Sequence, residues 1–341
     1  MTRQTIYLDH AATAPVLPQV REVVARAMED WANPSSQHTA GRRARAALED
    51  ARRRVARALD WQGEVIFTSG ASEALALGWH GAQALRRVAS SVEHAAVGRL
   101  AEGGALVPVD ARGLVDAQGL PAADLVAIQQ VNNETGVIQD CAALGAAVAE
   151  RGAVWLADCA QGAGKIALPE ADMVAIAGHK FGAPPGVGAL LVRSLGLISP
   201  SGGQERGYRP GTENVPYILG LAEALEADRG WIAGAAQLRA WFEGEMRALG
   251  AEIMGEGAQR IPTIGAYRLP GVNATSVLIR ADMAGVAISS GAACSSGSLK
   301  PSPTILAMGR SEAEAREVFR VSIGRGTTQE ELEALLKVLR R

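Results

Sequence analysis

The middle of the chain contains the segment Asp172-Met173-Val174-Ala175-Ile176-Ala177-Gly178-His179-Lys180. Its first part is a short apolar run of the kind that forms a strand buried on both faces of a sheet. A glycine and two basic residues follow the run directly. A lysine at that place could form an imine with an aldehyde, although a lysine on the surface is the commoner case.

Similar apolar runs alternate with helical stretches along the first two thirds of the chain. Strands are predicted at 64–68, 124–131, 153–157, 172–177 and 187–192. Helices are predicted at 19–31, 40–59, 73–87 and 143–151. Near-continuous apolar strands separated by helices favour an α/β fold, with a mostly parallel central sheet covered by helices on both faces.

The pattern changes near residues 228–236, where two long helical stretches meet. The following part is richer in loops, and it closes with a predicted strand at 319–323 and a helix from Gln329. We therefore predict a large domain at 13–235 and a smaller α+β domain formed by 1–12 and 236–341.

Length and composition exclude several classes of protein. The chain has 341 residues, 48% of them hydrophobic and 21% charged, as is usual for a globular protein with a sizeable core. The formal net charge of −2 gives no reason to expect binding to nucleic acid or to an anionic membrane. No apolar run is long enough to span a bilayer, and the N-terminus lacks the apolar core of a signal peptide. A cytoplasmic location is therefore expected.

The cysteine content also agrees with a cytoplasmic location. The three cysteines, Cys141, Cys159 and Cys294, are too few and too scattered for a disulfide framework, and no CxxC pair suggests a metal site. Cys141 starts a predicted helix and Cys159 follows a strand, so both are predicted to be buried structural residues. Cys294 instead lies in the Gly/Ser-rich stretch 289–298, where burial as a small apolar side chain is unfavourable.

Two further strand ends carry polar groups. The turn at 68–73, Thr-Ser-Gly-Ala-Ser-Glu, lies between a strand and a helix, so its backbone N–H groups could bind an anion. A tight turn alone would need the same small residues. Asp158 ends the strand at 153–157, where it could cap a helix or pair with a cationic ring nitrogen. The turn, Asp158 and Lys180 are therefore considered together. An anion-binding turn, a carboxylate and a lysine are the groups that can hold pyridoxal phosphate.

Other segments extend this pattern over nearly the whole chain. They are YLDHAAT at 7–13, NPSS at 33–36, VNNETG at 131–136, DCAQ at 158–161, GHK at 178–180, ERGYRPGT at 205–212, SSGAAC at 289–294 and RVSIGR at 320–325. In these segments the sequence resembles the cysteine desulfurases, which are class-V aminotransferase-like, fold-type-I pyridoxal-phosphate enzymes. The resemblance implies that fold and that cofactor.

The resemblance also assigns roles around the cofactor ring. Lys180 would hold the cofactor as a Schiff base and later move the Cα proton of the substrate. Asp158 would pair with the pyridinium nitrogen and keep the ring an electron sink. Gln161 would hydrogen-bond the phenolic oxygen, and Asn133 would contact the ring region. His94 would stack on the ring and shuttle a proton.

Further roles concern the phosphate and the substrate. Ser72, His179 and the backbone of Ala71 would bind the phosphate. Thr212 would reach the phosphate of the other subunit, which implies a homodimer. Arg320 and Asn33 would clamp the carboxylate of L-cysteine, because a guanidinium suits a bidentate contact.

Cys294 would determine the reaction. Its thiolate would take the sulfur of L-cysteine as a persulfide, L-alanine would leave, and the sulfur would pass to an acceptor protein. The cysteine segment is similar to that of the branch with a long loop, typical of iron–sulfur cluster assembly. The remaining alternatives are another pyridoxal lyase, acting on selenocysteine or as a cysteine β-lyase, and a non-catalytic scaffold protein with the same fold.

Two departures from the family pattern bear on these roles. Ala177 stands where many members have a phosphate-binding serine, so one hydrogen bond is expected to be missing or replaced. The sequence ends at Arg341, whereas many relatives continue with a tail that docks a scaffold partner, so the identity of the acceptor is left open.

Overall fold

A computed structural model describes residues 5–30, 32–290 and 301–340. The strands in these residues are β1 (Ile6–Tyr7), β2 (Glu64–Thr68), β3 (Arg87–Ser90), β4 (Ala105–Val107), β5 (Leu125–Ala127), β6 (Val154–Asp158), β7 (Met173–Ala177), β8 (Gly188–Val192), β9 (Glu252–Ile253), β10 (Ile264–Arg268), β11 (Val286–Ala287) and β12 (Val318–Ser322). The helices are α1 (Pro18–Glu29), α2 (Thr39–Ala58), α3 (Ala71–Gly81), α4 (Ala95–Leu100), α5 (Cys141–Glu150), α6 (Val215–Glu226), α7 (Trp231–Ala248), α8 (Ala274–Met283), α9 (Pro303–Ala307), α10 (Glu312–Ala315) and α11 (Gln329–Leu339).

The central sheet has seven strands in the order β2-β8-β7-β6-β5-β3-β4. All neighbouring strands pair in parallel except β8, which runs antiparallel to both β2 and β7. Successive side chains of β7 enter different cores: Val174 and Ile176 pack on one face of the sheet, Met173 and Ala175 on the other. Helices on both faces thus explain the continuous apolar runs, and the predicted α/β class is confirmed.

A separate core lies in the C-terminal part of the chain. The three-stranded sheet β12-β10-β9 and the parallel pair β1-β11 lie there. Phe242 meets Tyr267 edge to face, with ring centroids 5.3 Å apart, and Phe319 packs beside them. Leu8 belongs to the same cluster although it lies near the start of the sequence. The predicted division near residue 235 stays a prediction.

One predicted helix is too long. The helix predicted at 73–87 ends at Gly81, and Arg87 begins strand β3. Residues of β3 pair in parallel with both β4 and β5, which needs an extended backbone. The free energy gained by strand pairing outweighs that of extending the helix, although the helical periodicity continues in the sequence. None of the described helices is long and apolar enough to cross a membrane.

The sheet order brings several strand ends together. β6 ends at Asp158, β7 leads into the 3₁₀ turn Gly178–Lys180, and β2 leads into the turn before α3. The start of β8 lies against that last turn, and a Cβ on Gly188 would come 2.7 Å from the Cα of Gly70. Glycine at 188 therefore lets the turn lie directly on the sheet.

Candidate active site

The strand ends surround a cavity of about 640 Å³. Most of the residues selected from the sequence line it, although they come from distant parts of the chain. They are Ala71, Ser72, His94, Asn133, Asp158, Gln161, His179, Lys180 and Arg320. Asp9 contributes a further wall, as do Ser69 and Gly70 in the turn before α3. The cavity therefore combines cationic, anionic and hydrogen-bonding groups at the edge of a parallel sheet, the usual place for a ligand.

Lys180 is held by the N-terminal segment. Its Nζ donates hydrogen bonds to the carbonyl oxygens of Ala11 and Ala12, at 2.7 and 2.8 Å. Burial lowers its pKa to about 8, and the positive charge of Arg320 adds to this effect, whereas Asp158 and Asp9 oppose it. The neutral amine is therefore far more abundant near physiological pH than in an ordinary lysine, as a nucleophilic lysine requires.

Asp158 lies at the end of β6 and is 7% exposed. One oxygen, Oδ1, accepts a hydrogen bond from the N–H of Ala160 at 2.9 Å. Burial raises the pKa of Asp158, while that hydrogen bond and the charges of His94 and Lys180 lower it. A cation placed against this carboxylate would be strongly favoured, because few other groups compensate its buried charge.

A second buried carboxyl lies near Asp158. Glu93 accepts hydrogen bonds at Oε1 from the hydroxyl of Ser90 and from the N–H of Gln129. Burial raises its pKa to about 8, and the charge of Asp158 contributes in the same direction. Glu93 is therefore largely protonated at neutral pH. Glu93 directly precedes His94 in the sequence and was not among the residues selected there.

His94 begins α4, and its Nδ1 accepts the N–H of Ala96 at 3.1 Å. This contact places the ring proton on Nε2 in the neutral form. Burial lowers the pKa of His94, so the neutral form dominates. The cap fixes both the ring position and its tautomer. Its predicted stacking and proton-transfer roles need a neutral ring of this kind.

Gln161 and the turn at 68–73 complete the walls. The Gln161 side chain is 3% exposed, its Nε2 donates to the carbonyl of Ala11 at 2.9 Å, and its Oε1 has no hydrogen-bond partner in the described chain. In the turn, the Thr68 hydroxyl donates to the carbonyl of Gly70. Glu73 is paired with Arg209 at 2.7 Å, which ties the segment after β8 to the start of α3.

Arg320 is fixed by a residue that sequence reasoning had not selected. Its Nη2 donates to Oδ1 of Asp9 at 2.8 Å, and its Nη1 donates to the carbonyl of Asn133 at 2.7 Å. The side chain is 5% exposed, and its Nε has no partner among the described residues. Asp9 lies in the segment 7–13. Its ion pair with Arg320 could not be predicted, because the two residues are 311 positions apart in the sequence.

Other selected residues lie elsewhere. Asn33 is exposed and does not line the cavity, and its Oδ1 accepts the N–H of Ser35. Thr212 is also exposed and outside the cavity of its own chain. Their predicted contacts stay predictions. Ala177 lines the cavity and brings no hydroxyl group to it.

Cys294 lies outside the described residues, whereas Ser289 and Ser290 line the cavity. Of the other cysteines, Cys159 is 0% exposed and Cys141 is half-buried. Burial raises the pKa of the Cys141 thiol to about 11 and that of Cys159 well above its usual value. Both remain thiols at neutral pH, in keeping with the predicted structural role. The described residues contain no cluster of His, Cys, Asp and Glu suited to hold a metal ion.

Comparison with known sequences gives consistent matches over almost the full chain. The profile of the family "Aminotransferase class-V" matches residues 6–335. A protein named cysteine desulfurase from Cereibacter sphaeroides is 35% identical, over 98% of this chain and 95% of the relative. A cysteine desulfurase IscS from Vibrio vulnificus is 34% identical, over 98% of this chain and 92% of the relative.

Solved structures agree with these matches. A NifS-like protein from Rickettsia africae superposes with a TM-score of 0.88 at 29% identity, covering 98% of each chain. The protein SspA, solved in complex with cysteine, gives a TM-score of 0.81 at 29% identity, covering 94% of this chain and 99% of the other. The similarity includes both cores described above.

Proposed function

Because the chain belongs to the class-V aminotransferase family, and within it to the cysteine desulfurases, we propose that it converts L-cysteine to L-alanine and transfers the sulfur through a persulfide on Cys294. The observation that carries the proposal is one cavity in which Lys180, Asp158, His94 and Arg320 meet. A lysine, a buried carboxylate, a neutral imidazole and a guanidinium are the groups this chemistry needs.

The cavity fits pyridoxal phosphate, the cofactor of this family. Ser72 and the backbone at Ala71 lie at the N-terminus of α3, where a phosphate is favoured. A cation beside the buried carboxyl group of Asp158 is favourable, and the protonated ring nitrogen of the cofactor would provide it. The Gln161 amide carries a second hydrogen beyond the one given to Ala11, so it can also donate to the phenolic oxygen. When bound, the cofactor supplies an aldehyde that captures amines and a ring that withdraws electrons.

The protein side chains position the substrate and move its protons. Arg320 would bind the substrate carboxylate, while Asp9 and the Asn133 carbonyl keep its guanidinium in place. The Lys180 amine, once released, would take the proton from the substrate Cα, because its lowered pKa suits a base near neutral pH.

The thiolate of Cys294 would form a bond to the substrate sulfur while the C–S bond breaks. The electron pair of the C–S bond stays with the carbon skeleton, which takes up protons and leaves as alanine. Ser290 lines the cavity, and Cys294 follows it by four positions in the sequence, a tether of at most about 14 Å. This tether length keeps Cys294 within reach of the cavity and supports its assignment.

The direct test is the product balance. We expect the purified, cofactor-loaded protein to form one alanine for each sulfur released from L-cysteine in the presence of a thiol reductant. Alanine is measured by amino-acid analysis and sulfur as sulfide. Formation of pyruvate and ammonia in place of alanine would indicate a β-lyase, and a protein that takes up no cofactor and forms neither product would contradict the proposal.

Replacing Arg320 should chiefly weaken substrate binding. Arg320→Gln removes a charge-assisted hydrogen bond of about 1.5–3 kcal/mol to the carboxylate, so we expect KM for L-cysteine to rise about 10- to 100-fold. Arg320→Lys should recover only part of the loss, because an ammonium lacks the planar fork. Arg316→Gln, at an exposed site after α10, is the matched control. An unchanged KM in Arg320→Gln with an intact Tm would remove Arg320 from the substrate site.

Cofactor attachment should depend on pH through Lys180. Its pKa of about 8, against 10.5 for an ordinary lysine, means that the neutral amine is already abundant at pH 8. The attachment rate in apoprotein should rise about tenfold per pH unit below pH 8 and level off above it. Stopped-flow absorbance measures this rate, with Nα-acetyl-lysine as the reference amine. A rate that still rises steeply at pH 10 would show that burial does not lower this pKa.

The proposal extends to assembly and location. Thr212 is exposed and lies outside its own cavity, which supports a homodimer in which it reaches the partner's phosphate. We place the enzyme in the cytoplasm, where thiols stay reduced. Its persulfide would serve an acceptor protein in the synthesis of iron–sulfur clusters or other sulfur cofactors.

A further inference from the structure

A second cavity, here called the side pocket, adjoins the active site. Its volume is about 310 Å³, and it shares the walls formed by Ala11, Gln161 and Lys180 with the first cavity. Further walls come from the segment before α1, from the start of α7, from the chain after β12 and from the loops that contain Lys165, Phe181 and Thr263. This volume is at the lower end of the range of small-molecule sites, about 300–1,000 Å³.

The side pocket is lined by cations without counter-charges. Arg21, Lys165 and Arg325 line it, and none of its described lining residues is Asp or Glu. Lys165 is partly buried, and its Nζ donates one hydrogen bond, to the carbonyl of Gln161 at 3.0 Å. Within the described ranges no carboxylate forms a salt bridge with any of the three cations. An ammonium has three hydrogens to donate, so Lys165 has donor capacity left over.

The lowered pKa of Lys165 agrees with the lack of a carboxylate partner. Burial lowers its pKa to about 7, and the nearby charge of Lys180 adds to the effect. A carboxylate ligand would offset both contributions and favour the charged ammonium. The proposed function leaves Lys165 without a role.

Several other walls are apolar, and the described lining includes an unpaired hydroxyl. Leu17, Phe181 and Ile264 line the side pocket, and Arg325 lies over the Trp231 ring at 5.6 Å. Thr263 is 3% exposed, and its Oγ1 has no hydrogen-bond partner in the described chain. A buried hydroxyl without a partner is costly unless something binds to it. An apolar surface combined with a cation and a free hydroxyl suits an anion that has an apolar body.

We propose that the side pocket binds a small monocarboxylate with an apolar tail, with its carboxylate at Lys165 and Thr263 and its tail against Leu17 and Phe181. Because Lys180 forms part of the shared wall, a negative charge there would stabilise the protonated form of the catalytic lysine. Binding in the side pocket is thus coupled to the state of the active site, and the coupling is reciprocal.

Calorimetry on the cofactor-loaded enzyme tests the proposal with hexanoate as the probe. We expect hexanoate to bind with one site per chain and 1-hexanol, its neutral counterpart, to bind at least about tenfold more weakly. Lys165→Met should weaken hexanoate binding about 10- to 100-fold, whereas Lys337→Met, at an exposed site on α11, should not change it.

Two further variants distinguish the side pocket from the active site. Ala227 lines the side pocket only, so Ala227→Phe should fill it and abolish hexanoate binding while the Tm stays near that of the parent. Arg320→Gln alters the active site and should not weaken hexanoate binding. No binding at millimolar hexanoate, equal binding of hexanol, or a loss of affinity in Arg320→Gln but not in Lys165→Met would overturn the proposal.

Discussion

Lys180→Ala should lower turnover of L-cysteine by at least about 10⁴-fold. In the proposed reaction, the variant removes both the amine that attaches the cofactor and the base that moves the Cα proton. A positioned base alone contributes about 10²–10⁴-fold. The fold should survive, since Lys180 Nζ bonds only to the carbonyls of Ala11 and Ala12 among the described groups. Alanine formation, and the cofactor retained after borohydride reduction, denaturation and gel filtration, are the two measurements.

The matched control is Lys337→Ala, which removes an exposed lysine on α11 and should keep full turnover. A Tm within a few degrees of the parent must accompany the loss in Lys180→Ala, so that unfolding is not the cause. If Lys180→Ala keeps the cofactor covalently attached, another amine holds it. Lys165 would then be the first residue to examine, because it lines the neighbouring pocket.

Cys294→Ala should lower sulfur transfer by about 10³-fold or more while the cofactor remains attached to Lys180. The variant removes the proposed nucleophile, and loss of a nucleophile commonly removes most of the catalysis. Alanine formation from L-cysteine measures the effect. Binding of ³⁵S to the protein after one turnover gives a second reading that does not depend on the acceptor.

Cys141→Ala is the control for this variant, because the pKa of the Cys141 thiol, raised to about 11, keeps it from acting as a thiolate. We expect it to retain both alanine formation and protein-bound ³⁵S. Full activity of Cys294→Ala would contradict the persulfide route. Retained sulfide release without protein-bound sulfur would favour a β-elimination on the same scaffold.

Much of the candidate site could be predicted because several of its residues lie at the ends of strands. The apolar runs before Asp158 and Lys180 are long enough to identify buried strands, and parallel strands bring their carboxyl ends to one edge. The resemblance added His94 and Arg320, which also line the cavity. The fold class followed from the same runs.

The remaining features depend on tertiary contacts. The reversed direction of β8 leaves no trace in its sequence, since a strand buried on both faces is apolar in either direction. The Asp9–Arg320 pair joins residues 311 positions apart. Lys165 follows a glycine in an ordinary turn, and only the cavity around it sets it apart. Asn33 carried a predicted role, yet its side chain is used within its own turn.

The hydrogen bonds around Arg320 have a mechanical consequence. β1 pairs with β11, Asp9 bridges to Ser322, and Arg320 exchanges backbone hydrogen bonds with Ser289 at 2.6 and 3.2 Å. Arg320, the proposed substrate-binding residue, and the start of the segment that leads to Cys294 are thus parts of one ladder. If the C-terminal part of the protein moves during turnover, both shift as one body. Capture of the amino acid and approach of the thiol would then be synchronised.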